Sequence, residues 1–360
     1  VQNLDAIEIK HFKRFIIMKQ LQEIVRTHIL KLRSEITPLY NHLLGHSKHI
    51  LLNSNESPYN KPYNRYPDPL QARLKAEISK IKAVPVEKIL LTNGEDEAID
   101  LCYRLFCEPN IDNVVSIAPT YIMYKERAAI NNVEYRAVPL ENNYLLSANK
   151  LLKVCDKNTK IIWLCSPNNP TGNNLIIEEI EQLLAVFKGI VVIDEAYSDF
   201  SKYPVFRHRL EEYPNLIVLN TFSNVWGCAG ISLGMAFANE NIISLFNKIK
   251  LPYNISMLTQ NKALEILSRR FDIEDWLKIL LLERNRVMRS FAELPFCERV
   301  YPSDANFFLA KVDNAESVYS FLLSKGIVVY MEKQCTNSLR ITIGTKSENN
   351  ELIGALRQFK

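Results

Sequence analysis

Apolar positions along this 360-residue chain follow two alternating periods, and that alternation sets the expected architecture. Short apolar runs at Ile89–Thr92, Asn113–Ile117, Val133–Pro139, Lys160–Cys165, Ile190–Ile193 and Leu216–Asn220 read as strands. Helical spacing fills the gaps. Leu70, Leu74, Ile78 and Ile81 line one face of an expected helix over Leu70–Lys82. Further helices are expected over Asp96–Phe106, from Tyr121 onward, and over Ile176–Phe187. Short apolar runs alternating with amphipathic helices predict an α/β domain with a mostly parallel sheet buried on both faces.

Past residue 240 the pattern changes. Helical stretches near 240–250, 256–270 and 274–293 precede apparent strands at Asn306–Lys311, Ile327–Tyr330 and Leu339–Thr345. These surround a helix at Ala315–Ser324, and another helix closes the chain near 350–358. The expected division is therefore a large domain over 70–272 and a small α+β domain over 273–360. Residues 18–69 read as an N-terminal arm, with a helical piece at Met18–Leu32, a loop rich in His and Asn, and a Pro-punctuated turn at Asn64–Pro69. Residues 1–17 lack an initiator Met and a signal-cleavage pattern, and read as an extension of unknown origin.

Composition narrows the function classes. Hydrophobic residues make up 47% and charged residues 23%, with a formal charge of +4, ordinary for a globular chain. No basic stripe interleaved with aromatics occurs, which argues against nucleic acid as a partner. No apolar run nears the ~18 residues of a membrane-spanning helix. Seven cysteines without a CxxC pair read as free thiols in a reducing cytoplasm. The six histidines form no HExxH, and the spacing of His46 and His49 reads as a solvated loop; no metal site is expected.

Glycine is scarce, with 10 in the chain, and positions 94, 172, 227, 230, 234 and 344 fall inside the motifs described next. Such placement marks turns beside a bound group. Asn93-Gly-Glu-Asp-Glu97 opens a helix, so its free N–H groups make either a phosphate site or a plain capped start. Tyr121, in Pro119-Thr-Tyr121, can stack on a flat ring or simply pack. Cys165-Ser-Pro-Asn-Asn-Pro-Thr-Gly172 is more specific, holding the amide of Asn169 between prolines where it can bind a phenolate oxygen. In Val192-Ile-Asp-Glu-Ala-Tyr197, Asp194 can pair with a protonated pyridine nitrogen and Tyr197 can reach the neighbouring ring oxygen. All four sites fall at carboxyl ends of expected strands, where open α/β sheets bind ligands.

Together with Thr221-Phe-Ser-Asn-Val-Trp-Gly-Cys-Ala-Gly-Ile-Ser-Leu-Gly234, this order resembles the fold-type I pyridoxal-phosphate (PLP) aminotransferases of classes I and II. Leu52-Asn-Ser-Asn-Glu-Ser-Pro-Tyr59, Arg65-Tyr-Pro-Asp-Pro69 and Ser338-Leu-Arg-Ile-Thr-Ile-Gly-Thr345 favour the histidinol-phosphate aminotransferase branch. The resemblance implies amino transfer between histidinol phosphate and 2-oxoglutarate or glutamate, in histidine biosynthesis, by a cytoplasmic homodimer. It further implies that the backbone at Glu95 and Asp96 and the hydroxyl of Ser223 hold the cofactor phosphate. Tyr121 would stack on the ring, Asp194 would protonate its nitrogen, and Asn169 with Tyr197 would bind its oxygen. Tyr66 would reach the neighbouring subunit's site, and Arg340 would grip an acidic group of the substrate.

The chemistry-bearing letters depart from that pattern. Asn224 stands where the family has the lysine that holds the cofactor covalently and moves its proton, and Ser232 stands where the family has a phosphate-binding arginine. Tyr330 follows Gly326-Ile-Val-Val where an arginine is usual, and Arg33–Leu39 replaces another substrate-binding segment. An amide nitrogen is delocalised and can neither form the imine nor carry the proton. The expectation is an impaired or inactive member of the branch, with PLP held noncovalently at best. One alternative is a non-catalytic homologue that binds PLP or another phosphate ligand. Another is altered chemistry through a different amine, with Lys125 the nearest in sequence.

Overall fold

The computed structural model describes residues 21–33 and 50–359. Among them, seven strands form the large sheet: β1 (Ile89–Asn93), β2 (Asn113–Ala118), β3 (Glu134–Pro139), β4 (Thr159–Cys165), β5 (Ile190–Asp194), β6 (Leu216–Thr221) and β7 (Leu233–Ala238), in the order β1-β7-β6-β5-β4-β2-β3. Strands β2 to β6 pair in parallel, while β7 runs antiparallel to both its neighbours, β1 and β6. The α/β expectation holds, with one strand unforeseen. Leu233–Ala238 carries small residues and follows a loop, so its apolar run gives a weak strand signal.

Side chains alternate across the sheet into two cores. Ile162, Leu164, Val191 and Ile193 face a layer containing α1 (Ala72–Lys82). Ile161, Trp163, Val192 and Leu219 face α2 (Glu95–Phe106) and α3 (Met123–Ile130). Coverage on both faces explains why the strands read as uninterrupted apolar runs. Leu21, Val25 and Ile29 of the arm join the second core. The helical piece expected at Met18–Leu32 breaks before the single turn Thr27–Leu30, where Arg26 leaves helical dihedrals and its guanidinium pairs with Glu108. Its first three residues, the extension 1–17 and the His46–His49 pair lie outside the described residues.

A second sheet, ordered β10-β11-β9-β8, combines β8 (Cys297–Val300), β9 (Phe307–Val312), β10 (Tyr330–Glu332) and β11 (Ser338–Thr342). It packs with the helices Arg270–Ala292, Ala315–Ser324 and Lys346–Leu356 around Phe291, Phe308 and Leu322. The strand expected at Ile327–Tyr330 shifts to Tyr330–Glu332. Gly326 turns with φ +76° and Ile327 N–H returns to the carbonyl of Leu322, so the apolar run there is a helix exit. Half-buried β8 and the helix Ala148–Val154 were not expected from the pattern.

Loops of the two sheets bond to each other. Gln334 exchanges hydrogen bonds with the backbone of Thr120, and Asn174 Nδ2 donates to Asp304. Because β7 is antiparallel, its start lies beside the carboxyl ends of β1 and β6 and against the start of α2. Gly94 N–H donates to the Ser232 carbonyl at 2.6 Å, and a Cβ on Gly234 would come within 2.5 Å of the Gly94 backbone. Gly234→Ala is expected to destabilise the protein by about 3 kcal/mol in urea unfolding, since the obstacle is main chain and cannot rotate away. Gly230→Ala, with nothing within 4 Å, should be near neutral by the same measurement.

Candidate functional site

A cleft of ≈ 230 Å³ opens where β1, β4, β5 and β6 end and β7 begins. Glu95, Asp96, Tyr121, Asn169, Asp194, Tyr197, Ser223, Asn224 and Ser232 all line it, so nine of the positions singled out in the sequence converge. Tyr66 is 56% exposed, stacks on Tyr253 with ring centroids 4.5 Å apart, and lies outside this chain's own cleft. Arg340 stands at the rim, where its Nη1 donates to Asn169 Oδ1.

Asp194, at the buried end of β5, accepts from Ala196 N–H at 2.9 Å and from the Tyr124 hydroxyl at 2.5 Å. Tyr124 is fully buried on the inner face of α3 and stacks on Trp163, centroids 4.9 Å apart. Nothing in the sequence distinguished it from a core aromatic, yet it fixes the orientation of Asp194. Asn169 Nδ2 reaches the Tyr197 hydroxyl at 3.5 Å, and burial holds that phenol well above its usual range, so Tyr197 remains a neutral donor. The Tyr197 ring is braced edge-on by Phe307. Tyr121 donates to Asp96 Oδ1 at 3.1 Å.

The opposite end of the cleft differs in charge. Glu95, Asp96 and Glu97 fill the first turn of α2. Glu97 is occupied by Asn93 N–H and Asn254. Glu95 points inward to within hydrogen-bonding reach of the Asp194 carboxyl, and burial followed by Asp194 pushes its own carboxyl well above the usual range. Ser223 and Thr221 are hydrogen-bonded to each other, and Ser232 adopts φ +48° with its carbonyl on Gly94. Asn224 Nδ2 donates to the Ala196 carbonyl at 3.1 Å. Among the described residues lining the cleft there is no lysine and no arginine. Lys125 is exposed on α3 and is absent from the lining, which corrects its candidacy as a replacement amine.

The fold and cleft place the chain in a family that comparison defines directly. The aminotransferase class I and II family model matches residues 28–356, and the chain belongs to that family. It is 51% identical to the histidinol-phosphate aminotransferase of Bacteroides thetaiotaomicron, over 95% of this chain and all of that one. Two solved structures share the fold. The histidinol-phosphate aminotransferase from Clostridium acetobutylicum has a TM-score of 0.75 at 24% identity, over 82% of this chain and 91% of that one. The enzyme from Sinorhizobium meliloti, in complex with pyridoxal-5'-phosphate, has a TM-score of 0.76 at 22% identity, over 82% of each chain.

The family's cofactor is PLP, and the residues of this cleft fit it only in part. Asp194 offers a buried carboxylate to a ring nitrogen, Asn169 and Tyr197 offer polar groups to a ring oxygen, and Tyr121 offers an aromatic side. The aldehyde meets an amide at Asn224, which cannot hold it, and the phosphate meets Ser232 and the Glu95 carboxyl without a cation. The cleft therefore fits the ring and does not fit its two anchors. Tyr124→Phe should cost about 2 kcal/mol in chemical unfolding, because it removes a buried donor from a charged acceptor. Tyr121→Phe, which removes a hydroxyl from partly exposed Asp96, should cost under about 1 kcal/mol in the same assay.

Proposed function

We propose that this chain is a member of the histidinol-phosphate aminotransferase branch in which amino transfer has been lost or slowed by orders of magnitude. One observation carries the reading: position 224 faces the ligand cleft as an asparagine tied to the Ala196 carbonyl, and the cleft lining offers no other amine. Removing a general base alone slows a proton-transfer step by roughly 10²–10⁴-fold. Loss of the covalent attachment adds to that cost. Without Ser232 as arginine, the charge-assisted bonds of a phosphate anchor, each worth about 1.5–3 kcal/mol, are missing as well.

The remaining groups keep separable roles. Asp194, oriented by Tyr124, would pair with a ring nitrogen; Asn169 and Tyr197 would orient a ring oxygen; Tyr121 would cover one ring face. Backbone N–H groups at Glu95 and Asp96 and the hydroxyl of Ser223 are the remaining phosphate donors. Arg340 holds Asn169 through Nη1, leaving its other N–H groups as donors for an acidic substrate group, and the ring of Tyr330 covers its guanidinium at 4.5 Å. The division into a large unit over 70–272 and a small one over 273–360 fits two separate sheets, one in each range. A homodimer is supported by the strongly exposed Tyr63 and Leu258, which line one groove with Tyr66 and Tyr253. Seven unpaired cysteines are in keeping with the cytoplasm. No helix among the described residues is long and apolar enough to cross a membrane.

Multiple turnover of histidinol phosphate with 2-oxoglutarate by the wild-type chain sinks this reading. The double variant Asn224→Lys with Ser232→Arg is expected to acquire the visible absorption of lysine-bound cofactor and to raise kcat/KM by at least about 10²-fold. A double variant that gains neither would place the damage beyond those two positions.

A further inference from the structure

Glu95 is the group that the loss of amino transfer leaves unexplained. Its Oε1 is sealed from solvent and finds no hydrogen-bond donor. The side chain reaches from the start of α2 toward Asp194, so it spans the end where a phosphate would enter and the end where a ring nitrogen would sit. The titratable groups that face it are Asp96, Tyr121, Tyr124, Cys165, Asp194 and Tyr197, and none is a cation. A helix N-terminus supplies roughly half a positive charge. Here the first turn already carries three carboxyls. Like charges brought together in a protein interior repel, and burial beside Asp194 already holds the Glu95 carboxyl toward its protonated form. A phosphate dianion placed beside Glu95 opposes its ionisation further and finds only the backbone N–H groups of the first turn and the Ser223 hydroxyl as donors, whereas a cation placed there favours the carboxylate and supplies the partner that Oε1 lacks.

We propose that Glu95 reverses the polarity of the cleft, so that it takes a planar, protonated nitrogen heterocycle without a phosphate, seated beside Tyr121 and paired with the Glu95 and Asp194 carboxyls. The proposal deepens the reading above and rests on it only for the location of the ligand cleft. Polar groups match the ligand class on each side. Asp194 and Glu95 accept from ring or side-chain N–H groups, and the Asn169–Tyr197 pair takes a hydroxyl on the ring. A cation against Glu95 favours its carboxylate form, offsetting the burial that raises its hold on a proton.

The test is titration calorimetry of the full chain with pyridoxamine and with pyridoxamine 5'-phosphate. These probes carry amines in place of the aldehyde and cannot condense with any lysine, so the outcome is independent of whether covalent chemistry survives. The wild type should bind pyridoxamine at least about tenfold more tightly than its phosphate ester. Glu95→Gln and Glu95→Ala, each checked for folding by circular dichroism, should weaken pyridoxamine, strengthen the ester, and shrink or invert the ratio. If one variant fails to fold, the other and the wild-type ratio decide. Equal or tighter binding of the ester by the wild type, an unchanged ratio in the folded variants, or no saturable binding of pyridoxamine overturns the proposal.

Discussion

The contact between the start of α2 and the start of β7 is the constraint on which the rest of the cleft depends. Gly94 hands its N–H to the Ser232 carbonyl, and Gly234 lies so close to that backbone that no side chain fits between them. This contact aligns the first turn of α2 with the carboxyl ends of β4, β5 and β6. It brings Glu95, Asp194, Asn224 and Ser232 to one cavity although they come from three separate stretches. Burial of the sheet on both faces makes the arrangement rigid, because each strand that carries a cleft residue is anchored by apolar neighbours above and below.

Within that frame, shape and charge have separated. The groups that would recognise a ring by hydrogen bonding are in place and braced: Tyr124 on Asp194, Phe307 on Tyr197, Arg340 on Asn169. The groups that would supply positive charge or a nucleophilic amine are missing from the lining, and a carboxyl points into the space they would serve. A fold held by apolar packing tolerates such losses. Asn224 and Ser232 lie in a hairpin whose main-chain bonds do not require a charged side chain, so the fold does not depend on a lysine or an arginine at those positions.

Much of this was legible in the sequence because the relevant signals are local. Apolar runs located β1 to β6, the proline-flanked asparagines located the turn after β4, and the acid at the end of β5 marked the ring-nitrogen side. Features that depend on long-range packing were not legible. Strand β7 has too little side chain to announce itself, and its antiparallel course is set by its neighbours. Tyr124 looks like any core aromatic until its hydroxyl is seen against Asp194. Glu95 was expected to act through its backbone; only the fold shows its side chain turned inward, where spacing along the chain gives no hint of direction. Lys125 is near Tyr121 in sequence but points to solvent.

Whether the cleft can still hold an aldehyde covalently is decided by borohydride reduction of the wild-type chain after incubation with PLP, followed by peptide mass spectrometry. The expected result is that no single lysine carries the reduced cofactor stoichiometrically, leaving at most scattered trace labelling of exposed amines. Stoichiometric labelling of one lysine would contradict the account, because it would mean that an amine reaches the site that Asn224 has vacated.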